Sequence, residues 1–214
     1  METGAKKVFA GAIDWPGLAR SGKTEAEALD ALVVYVPRYR ESLGGAAAKL
    51  KVLDDVSALK VAVRLDGHSG TDFGVPSGVA DFDRAKVNGA QVKELLVLLR
   101  ASWAAFDASA ARARGRTLAT GPRGGGRSVE QMREHVAEAD GAYIRSLGAR
   151  GPRGGSRWTE IQDSFVEALD AKIRGELPDR GPRGGERWPA RYAIRRSAWH
   201  ALDHAWEIED RTSG

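Results

Sequence analysis

Four histidines occur in the 214 residues, and two of them, His200 and His204, stand four apart on a segment with strong helical periodicity. That spacing stacks two imidazoles on one helix face, where both can reach a single metal ion. His135 lies on another segment of helical pattern, beside the apolar positions Met132 and Ala139. Three imidazoles from two facing helices, with no obvious fourth protein ligand, would leave a coordination position open for water or substrate, as catalytic metal sites require. Asp203 and Glu207 flank the pair and are candidate acceptors for imidazole N–H groups, which makes them the candidate catalytic carboxylates. The alternative is two ordinary interfacial histidines beside a solvated acidic face. The chain has no cysteine, so thiolate ligands, disulfides and a cysteine nucleophile are excluded, and any metal is held by His, Asp or Glu.

A second feature is a seven-residue motif repeated three times, each copy 30 residues after the last: Gly121-Pro-Arg-Gly-Gly-Gly-Arg127, Gly151-Pro-Arg-Gly-Gly-Ser-Arg157 and Gly181-Pro-Arg-Gly-Gly-Glu-Arg187. Each copy precedes a helical segment. The repeat therefore occupies connections and does not define a solenoid unit. Gly and Pro make tight turns and Arg keeps them soluble, which is the structural reading. The functional reading is an anion site in which Arg123, Arg153 or Arg183 holds an acidic group of a small-molecule substrate or cofactor near a helix N-terminus, with at most two copies sharing one ligand in a simple up-down bundle. Topology decides which copies could cooperate. RGG-like loops also suggest RNA, but aromatic residues are not interleaved through them as base stacking would want, apart from Trp158 and Trp188 just after two copies. That pattern argues against nucleic acid.

The elements that must position these residues fall into two groups. In the first, residues 1–78, Lys7 to Ile13 is β-prone and ends at the turn Asp14-Trp-Pro-Gly17, and Leu18 to Ser21 is a candidate second strand. Thr24 and Glu27 form a capping box ahead of Leu29, Leu32, Val33 and Val36, and Pro37 predicts a stop or kink. Leu50 to Leu53 and Leu59 to Leu65 read as two further strands, and Asp66 to Gly78 as a loop in which His68 is exposed. The second group, residues 79–214, reads as an all-α four-helix bundle. Its seams are Val92, Leu95, Leu96, Leu99, Trp103 and Phe106; Met132, Val136, Ala139 and Tyr143; Ile161, Phe165, Ala168 and Leu169; and Ile194, Ala198, Ala201, Ala205 and Ile208. Ser128 with Gln131 and Thr159 with Gln162 are expected to cap the second and third helices, and Pro189 falls in the first turn of the fourth. The fold class expected is an α+β N-terminal domain followed by that bundle.

Lys plus Arg number 33 against 29 Asp plus Glu, and 42% of residues are hydrophobic, an ordinary balance for a globular chain that can bury a core. The apolar run Val8 to Ile13 is far too short for a membrane span or a secretory signal, which predicts a cytoplasmic protein without membrane partners. A homodimer is compatible with this reading.

The segment Ser128 to Asp140 with His135, and Trp199-His-Ala-Leu-Asp-His204, resemble the two metal-ligand helices of DinB-like (damage-inducible) proteins. The resemblance covers about the last 125 residues, and its discriminating feature is the order His, then His-x-x-x-His, on the second and fourth helices. It implies a bundle with a crossover between helices two and three, and a divalent metal, zinc or nickel, on His135, His200 and His204. It further implies a transferase or isomerase that uses a low-molecular-weight thiol as cofactor, whose carboxylate the arginine loops could hold. Asp14-Trp-Pro-Gly17, Gly22-Lys-Thr24 and Glu27-Ala-Leu29 resemble the small HicB-like antitoxin module, implying a partial ferredoxin-like unit and a partner toxin. The reading from a different class is a non-catalytic anion- or nucleic-acid-binding module that displays the GPRGG loops.

Overall fold

The computed structural model describes residues 1–53, 55–121 and 126–212. Its N-terminal part is α+β: β1 (Glu2–Thr3), β2 (Val8–Gly11), β3 (Ala19–Gly22), α1 (Glu25–Leu43) and β4 (Leu65–Asp66). The sheet order is β3-β2-β1-β4, with β1 parallel to β4 and the other pairs antiparallel. Thr24 caps α1 as expected, but the return bond of the capping box goes to the residue before the cap. Thr24 Oγ1 accepts from the Glu27 N–H, and Glu27 reaches back to the Lys23 N–H at 2.7 Å.

Several local expectations are corrected. Pro37 neither stops nor ends α1, which continues to Leu43. Pro37 is exposed, so the carbonyl it leaves without a donor can be hydrated, while Leu32, Val36, Tyr39 and Leu43 hold the helix down by their burial. Leu50 to Leu53 form no strand, and of Leu59 to Leu65 only the last residue pairs, because β1 offers just two residues to pair with. Leu59 to Val63 instead help to line a cavity of about 300 Å³ beneath the sheet. The expected loop contains a short helix, α2 (Ser69–Phe73), capped by the exposed His68. After α3 (Asp81–Arg84) the chain is helical.

Four long helices follow: α4 (Gly89–Arg112), α5 (Val129–Leu147), α6 (Trp158–Ile173) and α7 (Ala190–Thr212). Ser128 and Gln131 cap α5 reciprocally, as expected. At α6 the cap lies two residues earlier than expected, where Glu160 accepts from the Arg157 N–H at 3.0 Å. The expected seams meet in one core that includes Leu99, Trp103, Phe106, Met132, Val136, Phe165, Leu169, Ile194 and Ile208. Helix α7 is buried on nearly all sides. Its Ala193, Ala198, Ala201 and Ala205 are essentially inaccessible, and small residues there let neighbouring backbones approach closely.

Contacts fix the chain directions. Along α4, Trp103 meets Ser197 and Ser109 meets Glu209, so α4 and α7 run parallel. Asp140 meets Ser197 while His135 meets His200, so α5 opposes α7. Trp158 at the start of α6 meets Asp107 and Phe165 meets Trp103, so α6 opposes α4 and runs parallel to α5. Two consecutive parallel helices require a connection that travels back along them. Residues 148–157 do this, with Gly151 against Arg145 and Pro152 against Gly141.

The N-terminal part packs directly on α7. Leu98, Leu202 and Trp206 belong to the same buried cluster as Val8, Leu32, Val36 and Tyr39. The Asp14-Trp-Pro-Gly17 turn sits against this helix. Gly17 has φ +93°, and a Cβ there would lie 2.7 Å from Leu202 Cδ1 and 3.2 Å from the Ala198 backbone. Arg195 of α7 is bound by buried Asp83 at 2.6 Å, and Tyr192 donates to the Ser77 carbonyl at 2.9 Å.

Candidate metal centre

Helices α5 and α7 bring the three expected histidines together. Because the two helices are antiparallel, His135, early in α5, faces His200 and His204, late in α7. The ring centroids lie 4.9 Å (His135–His200), 5.1 Å (His135–His204) and 4.7 Å (His200–His204) apart. One nitrogen from each falls within a sphere of mutual distances no greater than 4.8 Å. The Nε2 atoms of His135 and His200 are 3.1 Å apart. Two nitrogens bound to one tetrahedral zinc ion stand about 3.3–3.4 Å apart, from Zn–N lengths of about 2.0–2.1 Å, so this pair is already near ligand spacing. His200 and His204 are buried, and His135 is half-buried and forms the open side.

Electrostatics favour the ligating form of His200 and His135. Burial, reinforced by the neighbouring His204 and Arg196, pushes the His200 pKa well below the ordinary imidazole value. Burial likewise lowers that of His135, with His204 and Arg127 adding to the effect. Neutral imidazole is the form that offers a lone pair.

Glu207 sits behind His204. Its Oε2 is 2.9 Å from His204 Nδ1, and its Oε1 accepts from Arg211 Nη1 at 3.0 Å. The hydrogen bond from His204 is the largest cause holding the Glu207 carboxyl below its usual range. An ionised carboxylate accepts only, so His204 carries a proton on Nδ1, which leaves Nε2 as the nitrogen it can offer a metal. Arg211 is buried and also donates to the carbonyls of Ala119 and Arg127, which ties the connection before α5 to the centre. Asp203 does not join this network. It pairs with Arg20 of β3 at 3.3 Å.

Comparison with known proteins gives no match, neither to a family model nor to a curated protein nor to a solved structure. The site therefore has to be read from its own geometry.

The described residues of the three GPRGG copies are not gathered at one place. Arg123 lies outside the described residues. Arg153 and Arg183 are exposed, and no hydrogen bond or ion pair engages their side chains among the described residues. The first copy ends at Arg127, beside Arg211, at the start of α5. The third lies at the other end of α5, where Arg187 donates to the Arg145 carbonyl at 3.0 Å and the Trp188 N–H to that of Ser146 at 2.8 Å. The 19 residues of α5 separate them by about 28 Å. The second copy forms the connection that runs back along α5. One small ligand cannot touch all three.

Two residues beside the centre are absent from the sequence reading. Asp140 is fully buried and accepts from Trp103 Nε1 at 3.0 Å and Ser197 Oγ at 2.9 Å. Burial outweighs these bonds and raises its pKa to about 7. Arg196, one turn before His200, is buried and donates from Nη2 to the Tyr143 hydroxyl at 3.2 Å. The available signal was positional: Asp140 falls among the apolar α5 positions Val136 and Tyr143, and Arg196 lies four residues before His200.

Proposed function

We propose that the four long helices form a DinB-like bundle and that this chain is a metal-dependent enzyme of that kind, with His135, His200 and His204 holding a divalent ion, zinc or nickel. The observation that carries this is the convergence of three partly or fully buried imidazoles, one of them oriented from behind by the Glu207–Arg211 pair. The parallel α5 and α6, joined by residues 148–157, support the crossover that the resemblance implies. A set of nitrogen donors without thiolate suits zinc and nickel. Such an ion, when bound, would stabilise the anionic form of a thiol or water brought to it.

This chain's own residues do the rest. Glu207 fixes the tautomer of His204, and Arg211 fixes Glu207. Burial against α5 and α7 excludes bulk water from His200, while half-buried His135 marks the approach. With no cysteine in the chain, a thiol nucleophile arrives on a small molecule, and transfer or isomerisation with a low-molecular-weight thiol is the reaction class proposed. Cobalt(II) is the direct test. Cobalt-loaded protein should gain a near-ultraviolet sulfur-to-metal band when a small thiol is added, and its absence with every thiol tried would overturn the thiol assignment.

A second reading is favoured by one observation, the exposed and unengaged side chains of Arg153 and Arg183. These loops would bind anions or nucleic acid independently of the histidines. Arg153→Ala with Arg183→Ala would then abolish binding, and His200→Ala would leave it unchanged.

A further inference from the structure

Helix α7 carries half-buried Arg195 and buried Arg196 and Arg211, and the three are not treated alike. Arg195 is neutralised by Asp83 at 2.6 Å, and Arg211 by Glu207 at 3.0 Å with two carbonyls in addition. Arg196 is 7% exposed, yet no carboxylate lies within ion-pair distance of it among the described residues. Its one hydrogen bond is to the Tyr143 hydroxyl, leaving Nε and Nη1 buried without a partner. A guanidinium taken out of water and left without a counter-ion costs several kcal/mol. The rings of Trp199 and Tyr143, 5.0 and 5.6 Å from the Arg196 Cζ, offset part of that cost, and a bound anion would offset the rest.

The surroundings share this deficit. Among the described residues, five of eight buried side-chain polar atoms without a hydrogen-bond partner belong to Arg196, Trp199, His200 and Asp140. Arg196, His200 and His204 succeed one another at four-residue steps along one face of α7. Opposite them on α5 stand His135, Ala139 and Tyr143, likewise at four-residue steps. The Tyr143 hydroxyl accepts from Arg196, so its own proton is free to donate to the same guest.

The geometry points to an anion subsite formed by Arg196 and the Tyr143 hydroxyl, taking the carboxylate of the small molecule whose reacting atom lies at the three histidines. The assignment deepens the metal-centre reading and rests on it for the word "reacting", but the subsite itself requires only Arg196 and Tyr143. One helical turn, about 6 Å of rise, separates the carboxylate holder from His200. This matches a short acid with its functional group a few bonds from the carboxylate. It also relocates the acid-binding role from the GPRGG arginines to the wall of the metal centre.

The test is a titration of acetate into zinc-loaded, ¹⁵N-labelled full-length protein, following the Arg196 Nε–Hε resonance, with zinc content measured on the same samples. A saturable shift is expected, and Arg196→Lys should weaken acetate binding at least about tenfold, the size of one lost charge-assisted hydrogen bond, with zinc content unchanged. If the resonance does not move, or Arg196→Lys binds acetate as the wild type does, the subsite is wrong even though zinc is present. If zinc fails to bind but acetate still shifts Arg196, the subsite stands and the metal reading falls. A parallel titration compares 3-mercaptopropionate with propionate. Zinc-dependent tightening of the thiol acid alone assigns the carboxylate to the thiol, and equal binding assigns it to the acceptor substrate.

Discussion

His204 Nδ1 and Glu207 Oε2 are 2.9 Å apart, and this one bond decides which nitrogen of His204 faces the other two histidines. Glu207 is in turn held by Arg211, which is anchored on the carbonyls of Ala119 and Arg127. The orientation of a candidate ligand on α7 thus depends on the connection that leads into α5.

Glu207→Ala should therefore weaken zinc binding by about 10–100-fold, as loss of a carboxylate behind a ligating histidine does elsewhere. Asp203→Ala should leave zinc affinity within about twofold, because its pairing with Arg20 is a partly exposed ion pair away from the histidines and such pairs contribute little. Competition against a chromophoric chelator measures both. Equal losses in the two variants would refute the division of roles between these carboxylates.

The raised pKa of Asp140 gives stability a definite pH dependence. The folded carboxyl titrates at about 7, far above its ordinary value near 4, so between those limits the folded state holds a proton that the unfolded state has released. Stability must then fall as pH rises from about 4 to about 7 on account of this group, and level off above. Asp140→Asn keeps an acceptor for Ser197 and Trp103 and removes the titration. Urea midpoints from pH 5 to 8 should converge towards the variant's at low pH and separate from them at higher pH. Parallel curves would show that Asp140 stays ionised throughout.

Gly17→Ala should cost about 2 kcal/mol or more, from a positive φ that disfavours a side chain and from a Cβ placed against α7. Chemical denaturation measures this. A change below about 0.5 kcal/mol, the range of an ordinary surface substitution, would mean that the turn is not seated on Ala198 and Leu202.

The histidine cluster was legible because it depends on two robust periodicities, the four-residue step from His200 to His204 and the apolar seams that turn α5 and α7 towards each other. The strands β2 and β3 and the helix α1 were legible from local pattern, with Thr24 and Glu27 announcing the helix, whereas the two-residue β1 was too short to leave one. What was not legible depends on partners distant in sequence. Asp203 and Glu207 look equivalent beside the histidines, and only the packing of β3 draws Asp203 to Arg20 instead. Leu59 to Val63 have a strand-like alternation but lack a strand long enough to pair with. Pro37 does not end α1, and on its exposed face the carbonyl left without a donor meets solvent. Arg196 looked like one more surface charge, and its significance lies in a counter-ion that Arg195 and Arg211 have and it lacks.

Metal content is the measurement that bears most directly on the central claim. Untagged protein, incubated with zinc or nickel and freed of excess by gel filtration, should carry about one equivalent by inductively coupled plasma mass spectrometry, as one three-histidine site requires. His200→Ala, checked for an unchanged fold by circular dichroism, should carry none. Wild-type protein that retains no metal after exposure to zinc, nickel, iron and manganese, or a folded His200→Ala that retains a full equivalent, would contradict the account.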